Sequence, residues 1–80
     1  MEFSVRITIS LKEGMLDPEA TTIRNALANL GFSTGELKTA RLFYITFDAK
    51  NKQEAEEQAR KMCERLLANP VIHRFTIEAC

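Results

Sequence analysis

Few residues of this sequence have the chemistry that a catalytic centre needs. His73 is the only histidine, and Ile72 and Arg74 beside it supply neither a nucleophile nor an orienting carboxylate. A nucleophilic site needs a base and an orienting group within reach of each other. Because alternate residues of a strand share a face, His73 lies on the side of Phe75 and Ile77. The pattern favours a histidine at a sheet edge or an interface over a general base.

The two cysteines also argue against a reactive or metal-binding site. Cys63 lies in an apolar helical stripe, which predicts a buried thiol, whereas reactive thiolates need exposed, electropositive surroundings. Cys80 is the last residue, and we expect it to be exposed and without a role. One histidine and no Cys-x-x-Cys pair argue against a compact zinc site.

The two cysteines also indicate the cellular compartment. Free thiols, which we favour over a disulfide, are typical of the reducing cytoplasm. The sequence has no recognisable signal peptide and no apolar run of about 20 residues. We therefore expect a cytoplasmic protein.

Carboxylates and glycines offer no further motif. Glu54, Glu56, Glu57 and Glu64 fall on one predicted helix, where pairs such as Glu56 with Arg60 stabilise an exposed face. No two of these glutamates stand out as a pair for acid–base catalysis. The three glycines form neither G-x-G-x-x-G nor a Walker motif. We expect no catalytic residue, no metal and no cofactor on this chain.

Length and charge favour a protein that associates with other chains. At 80 residues the chain forms one domain, residues 1–80, with a small core. Its 11 basic and 11 acidic residues give a net charge of +0, which argues against a nucleic-acid-binding module and removes repulsion between copies. RNA binding also needs exposed stacking aromatics, and the sequence has one tyrosine and no tryptophan. A domain with so small a core usually gains stability from a disulfide, a metal or oligomerisation. Because the sequence argues against the first two, we expect oligomerisation.

Caps and hydrophobic spacing predict the elements that position these residues. Asp17 before a proline and Gly31 delimit a first helix. Asn51 and Glu54 form a capping box for a second helix, which Pro70 ends. The predicted helices cover residues 18–30 and 52–68. Alternating apolar residues predict the strands, which are 3–11, 36–39 (a short strand or strand start), 42–47 and 71–78.

The resulting order is β-α-β-β-α-β. This order predicts an α+β, ferredoxin-like two-layer sandwich, with an antiparallel sheet and two helices on one face.

Two segments carry more apolar surface than such a domain needs. Met15 and Leu16, in the loop over 12–18, either tuck under the first helix or form a contact surface. Leu66 and Leu67 point about 100° apart on a helix, so the apolar surface there is wider than one stripe. Exposed apolar surface of this kind marks an interaction module more than an enzyme.

The even-numbered side of the strand over 42–47 is a third such surface. The uncovered side of a two-layer fold is usually polar, yet this side carries Leu42 and Tyr44, together with Ile72 of the last predicted strand. We expect Leu42, Tyr44 and neighbouring sheet positions to be buried between protomers.

Two segments of the chain resemble the signatures of a known family. Residues 11–18, LKEGMLDP, resemble the LKEGVLDP signature of PurS, the small subunit of phosphoribosylformylglycinamidine (FGAM) synthase. Residues 62–72, MCERLLANPVI, resemble its MCEKLLANPVIE signature, and residues 26–27 and 30–31 fall at its AL and LG positions. The resemblance covers essentially the whole chain, and two long strings at the right spacing are more specific than a fold analogy.

The chain departs from the family pattern in two places. Ala40-Arg41 stands where the family usually has Gly-Lys, so a turn with positive φ would be strained at Ala40. His73 stands where the family commonly has an acidic residue. Any contact that this acidic residue makes in the family is therefore in doubt for this chain. The candidate partner-contact residues are Lys12, Gly14, Met15, Leu16, Arg41, Leu42, Tyr44, Asn69 and Ile72.

The resemblance implies a non-catalytic assembly subunit of FGAM synthase in de novo purine biosynthesis. Such a subunit bridges an ATP- and Mg²⁺-dependent synthetase subunit and a glutaminase subunit, and supports ammonia transfer between them. The implied partners are these two subunits and further copies of the chain, as a dimer or tetramer, with no nucleic acid and no membrane.

Two other functions are compatible with the same element order. An ACT-like regulatory domain binds small molecules at a glycine-bearing first loop, which Gly14 leaves open. An acylphosphatase-like enzyme needs an arginine-bearing phosphate loop after the first strand, and residues 12–14 do not resemble one.

Overall fold

Three strands and two helices alternate along the chain in a computed structural model that describes residues 1–79. Cys80, and with it the expectation of an exposed thiol there, lies outside the described residues. The elements are β1 (Glu2–Leu11), α1 (Pro18–Asn29), β2 (Ala40–Asp48), α2 (Lys52–Met62) with a π-helical turn at Cys63–Leu67, and β3 (His73–Ala79).

The strands form one antiparallel sheet in the order β2-β1-β3. Val5 pairs with Ile45, and Ile7 pairs with Phe43 on one side and Ile77 on the other. Directly paired residues share a face, so the odd-numbered residues of all three strands face the same way. The expected α+β, ferredoxin-like class is confirmed, and so is the odd-numbered side of β2 as the core side.

The core lies between β1 and α2. Val5, Ile7 and Ile9 are buried on the odd face of β1, and Ala59 and Cys63 of the second helical segment are buried against them. α2 packs across β1 and β3. Small residues on α2 let the helix approach the sheet closely, so the central strand is fully covered.

Residues 36–39 do not form the short strand that their sequence suggests. The Thr39 hydroxyl donates a hydrogen bond to Asp17 Oδ2 (2.7 Å), which holds this segment beside the start of α1. Glu36 and Lys38 pair with each other at 3.1 Å. Residues 36–39 make no sheet pairing, and β2 begins only at Ala40.

The second helix is also shorter than expected. Regular α-helix ends at Met62, and the amide of Ala68 donates to the Cys63 carbonyl across a wider π turn (2.9 Å). The residues before Pro70 thus lie in a wider turn, which changes the directions of Leu66 and Leu67.

α1 extends away from the sheet, although both helices were expected on one face. The chain measures 51 × 24 × 16 Å, and Ala20 is the only buried residue of α1. Within residues 1–79, α1 packs on no strand as extensively as α2 does. The Arg24 guanidinium donates to the Thr34 carbonyl (3.4 Å), so the chain returns alongside the helix. Residues 17–39 thus form a projecting arm.

Candidate interaction surface

Lys12 joins the two segments that resemble the family signatures. Its amide donates to the Ile72 carbonyl (2.8 Å), and its ammonium donates to the Pro70 carbonyl (2.7 Å). These bonds close one end of the sheet, where β1 ends and β3 begins. We call this end, comprising residues 11–18 and 66–73, the signature end.

Asn69 and His73 hold the turn that precedes β3. The amide of Asn69 donates to His73 Nδ1 (2.9 Å), and the amide of Val71 donates to Asn69 Oδ1 (3.0 Å). The amide of His73 donates back to the Asn69 carbonyl (2.7 Å). His73 therefore has a local partner that its sequence neighbours did not suggest, and its role is structural. A carboxylate at this position could accept the same amide hydrogen.

Asp17 connects the arm to the signature end. Oδ1 accepts the amide of Ala20 (3.0 Å), the predicted N-cap, while Oδ2 accepts the Thr39 hydroxyl. The bond from Thr39, and then the bond from the Ala20 amide, lowers the pKa of the Asp17 carboxyl. Sequence reasoning found the cap but not the second bond, because its partner lies 22 residues away.

The first loop presents apolar side chains to solvent. Gly14 has φ +82°, a left-handed conformation that favours glycine. Leu16 is 90% exposed and Met15 is 43% exposed, so Leu16 does not tuck under the helix. Val71, in the facing turn, is 74% exposed. The signature end therefore combines a hydrogen-bonded frame with exposed aliphatic groups.

Two hollows with both polar and apolar linings flank this frame. One, of about 490 Å³, is lined by the first loop, including Gly14 and Met15, and by the segment around Lys38. The other, of about 520 Å³, includes Arg41 and His73. Lysine, arginine, aspartate and glutamate side chains all line the first hollow, so it does not concentrate charge of one sign.

Ala40 and Arg41 show how the chain accommodates its departure from the family pattern. Ala40 pairs with Ser10 in the sheet, and within residues 1–79 only glycines have positive φ. The strain considered for Ala40 is therefore absent. The Arg41 guanidinium lies 5.4 Å from the centroid of the Phe43 ring, a cation–π contact.

The open face of the sheet carries the other candidates, Leu42 and Tyr44. They are 50% and 69% exposed. Arg6 forms an ion pair with Glu78 on this face, and its pKa is raised by that carboxylate and, to a smaller degree, by the Tyr44 hydroxyl. Ile72 was expected on the same face, but it lies in the turn before β3 and is half-buried.

Cys63 is fully buried in the core, as predicted. Burial raises the pKa of its thiol, and the carboxylate of Glu64 raises it further. Among residues 1–79, no three His, Cys, Asp or Glu side chains cluster in a way that could hold a metal ion. In the same part of the chain, no helix has the length and apolar character needed to cross a bilayer.

The arm contains exposed apolar residues. Leu30 is 72% exposed and Phe32 is 61% exposed. Leu30 continues the helical apolar spacing of Ile23 and Leu27, but such spacing does not identify which surface covers an apolar face.

An α+β domain that exposes aliphatic groups on a hydrogen-bonded frame has the surface expected of a protein-interaction subunit. The profile of the family described as PurS, phosphoribosylformylglycinamidine (FGAM) synthase, matches residues 4–80. The chain belongs to the PurS family.

Individual relatives agree with this assignment. The FGAM synthase subunit PurS of Methanothermobacter thermautotrophicus is 43% identical over 77 residues, which cover 96% of this chain and 92% of that protein. The crystal structure of Methanocaldococcus jannaschii PurS matches with a TM-score of 0.86 and 38% identity, covering 98% of this chain and 95% of the other. The structure of PurLQS from Thermotoga maritima contains a chain that matches with a TM-score of 0.89 and 27% identity, covering 100% of this chain and 99% of that chain.

Proposed function

We propose that this chain is the small, non-catalytic subunit on which the synthetase and glutaminase subunits of FGAM synthase assemble for de novo purine synthesis. The observation that carries this proposal is the signature end. Both family-specific segments meet there through Lys12, and what they expose is aliphatic: Leu16, Leu66 and Val71 are 90%, 84% and 74% exposed. Apolar groups clustered on one end of a domain are typical of a surface that another chain covers.

The partners follow from the family. The M. jannaschii relative is described as one of the subunits of formylglycinamide ribonucleotide amidotransferase. The T. maritima structure is of PurLQS, and this chain matches it along its whole length. On this proposal the chain contacts a large synthetase subunit, a glutaminase subunit and further copies of itself.

On this proposal the larger subunits carry out the catalytic steps. The glutaminase releases ammonia from glutamine, the synthetase uses ATP and Mg²⁺, and this chain binds no cofactor and keeps the two together in the cytoplasm. The hollow beside the first loop supports this division, because its mixed charges attract a nucleotide polyphosphate less than a purely basic lining would. An ACT-like regulator would instead bind a small molecule in that hollow without any partner protein.

Co-purification tests the assembly role. The tagged chain is mixed with both larger subunits, with and without glutamine and ADP, and we expect it to retain both. Leu16→Asp places a charge on the exposed signature end and should reduce retention at least tenfold. Gln53→Asp, an exposed change on α2, is the matched control and should retain both subunits. Equal retention by the Leu16→Asp chain, or no retention by the unaltered chain, would contradict the proposed surface.

A further inference from the structure

The outer edge of β2 carries backbone groups that no other strand pairs. β2 lies at one side of the sheet, so this edge faces away from β1. The amide of Ala49 donates to the Met1 carbonyl (2.9 Å), one step beyond the pair of Glu2 and Asp48. Because hydrogen-bonded and non-hydrogen-bonded pairs alternate in an antiparallel ladder, the odd-numbered residues of β2 bond to β1. The even-numbered residues therefore point their amides and carbonyls outward.

These outward groups form a regular and unprotected row. Leu42, Tyr44 and Thr46 each present an amide and a carbonyl, and within residues 1–79 no other segment forms backbone hydrogen bonds with them. An edge strand usually carries a lysine, a proline or a bulge that blocks a further strand. β2 has no lysine and no proline, and its register with β1 runs without a bulge. The edge is therefore an open template for an added strand.

The outer edge of β3 offers a shorter row. The amide of Lys12 donates to the Ile72 carbonyl, so the same alternation makes the odd-numbered residues of β3 point outward. The first of these, His73, already donates its amide to the Asn69 carbonyl. β3 has 7 residues, whereas β2 has 9. β2 is therefore the better edge for a further strand.

Apolar side chains flank the outer edge of β2 on both faces of the sheet. On the odd face, a groove of about 480 Å³ lies between Ile45 and the second helical segment, which contributes Leu66 and Leu67. On the even face lie the exposed side chains of Leu42 and Tyr44. Successive side chains of an added strand contact the two faces in turn. Main-chain bonds with alternate side-chain contacts are how a sheet edge recognises an extended peptide.

Charge favours a different chain over a second copy as the added strand. The charged residues that line the groove are Lys61 and Arg65, and within residues 1–79 neither forms an ion pair. An acidic side chain on the groove side complements them. In a second copy, the one charged residue on the odd face of β2 is Arg41, which is also basic.

We propose that an extended segment of one of the larger subunits adds to the outer edge of β2 as a fourth strand. The segment has apolar residues at alternate positions and an acidic residue on the groove side. Backbone hydrogen bonds to the even-numbered residues of β2 fix its register. The identity of the partner chain rests on the proposed function, whereas the free edge is a property of this chain alone.

Hydrogen exchange at single amides tests the added strand. In the isolated chain the amides of Leu42, Tyr44 and Thr46 should exchange fast, and in the complex with both larger subunits they should slow by roughly tenfold or more. The outward amides of Phe75 and Ile77 on β3 are the control and should exchange alike in both samples. Unchanged exchange at the β2 amides, or equal slowing at the β3 amides, would overturn the proposal. So would slow exchange at the β2 amides in the isolated chain, because this chain or a second copy then covers the edge.

A matched pair of variants tests whether the backbone carries the binding. Tyr44→Ala and Tyr44→Pro both lack the phenol ring, but only the proline lacks the outward amide, which an edge strand can lose without losing its own ladder. In co-purification, Tyr44→Pro should retain the larger subunits at least tenfold less than Tyr44→Ala does. Circular dichroism checks that both variants fold. Equal retention by two folded variants would show that no strand pairs with this edge.

The basic side of the groove gives a test that leaves the strand intact. Arg65→Glu should lower retention at least tenfold, because it opposes the acidic residue of the segment. Arg60→Glu is the control, since Arg60 is exposed on the same helix but lies outside the groove, and it should retain both subunits. Equal retention by the two variants would contradict the proposed segment. If the unaltered chain retains neither subunit, the proposed function itself is wrong, whereas retention with unchanged exchange at β2 overturns the added strand alone.

Discussion

Asp17 joins two parts of the chain through a single carboxylate. One oxygen caps α1 and the other accepts the hydroxyl of Thr39, which precedes β2. A cap satisfies an amide that the helix cannot pair internally. The second bond adds a longer-range role, because it ties the start of α1 to the residue before β2.

Replacing Asp17 removes both bonds. We expect Asp17→Ala to lower the melting temperature by roughly 4–8 °C, the effect of losing an N-cap in a domain of this size. Glu13→Ala, which removes an exposed carboxylate from the same loop, is the control and should melt with the wild type. Circular dichroism measures both, and equal melting of Asp17→Ala and wild type would show that the cap does not stabilise the fold.

The same carboxylate predicts a pH dependence. The pKa of Asp17 is lowered in the folded protein from its ordinary value of 3.8. Its stabilisation is therefore fully present above that value and is lost as the pH falls through the lower folded-state pKa. The difference in melting temperature between wild type and Asp17→Ala should be constant from pH 5 to 7 and shrink in acid, about pH 3 and below. A difference that grows in acid would contradict this sign.

His73 stabilises the Asn69 turn by accepting the Asn69 amide through Nδ1. His73→Ala leaves that amide to solvent, and we expect a loss of about 1 kcal/mol in the free energy of unfolding. His73→Asp supplies another acceptor and should lose less. Urea denaturation compares the two, and equal losses would indicate that the ring is needed for packing instead.

At the scale of elements, α1 is well defined at both ends but uncovered along its length. Gly31, at φ +95°, ends the helix in the left-handed conformation. Apart from Gly31 itself, its chain neighbours and the adjoining helix backbone, no atom lies within 4 Å of the position that a Cβ would occupy there. The need for glycine at this position is therefore conformational and not steric.

Gly31→Ala should destabilise the protein by about 1 kcal/mol, because an alanine is strained at positive φ. Gly35→Ala is a matched control, since Gly35 has equal space around it and no positive φ. Urea denaturation should show a loss for the first variant and none for the second. Equal stabilities would mean that the arm adopts another conformation in solution.

The elements could be predicted from the sequence where the pattern is local. Strict alternation gave β1, and Asp17, Gly31 and Asn51 marked helix ends that the structure has within one residue. Residues 36–39 could not be predicted, because a side-chain bond between distant residues decides their path. The π turn after Met62 was missed for a related reason, since its apolar spacing resembles that of a continuing helix.

At the scale of the whole molecule, the candidate contact residues fall on two regions, except for Arg41, which lines a hollow beside the signature end. Most of them lie at the signature end, which consists of the two segments that resemble the family signatures. Leu42 and Tyr44 lie on the open face of the sheet. The exposed arm was not predicted, because a periodic apolar stripe looks the same whether its own sheet or another copy covers it.

The open face predicts a contact between copies of the chain. Tyr44→Lys would bury an unpaired charge between protomers, so it should shift the protein towards smaller assemblies. Gln53→Lys on α2 adds the same charge at an exposed position off the sheet and should change nothing. Sedimentation velocity separates the outcomes, and an unchanged mass for Tyr44→Lys would remove the open face from the self-association surface.

The assembly role is tested most directly by the rate of FGAM formation by the two larger subunits, with and without this chain. If the chain only brings the synthetase and the glutaminase together, then adding it should raise the glutamine-dependent rate at least tenfold. With free ammonia replacing glutamine, the same addition should leave the rate unchanged, because no transfer between subunits is then needed. Full glutamine-dependent activity without the chain, or an equal increase with ammonia, would contradict the account.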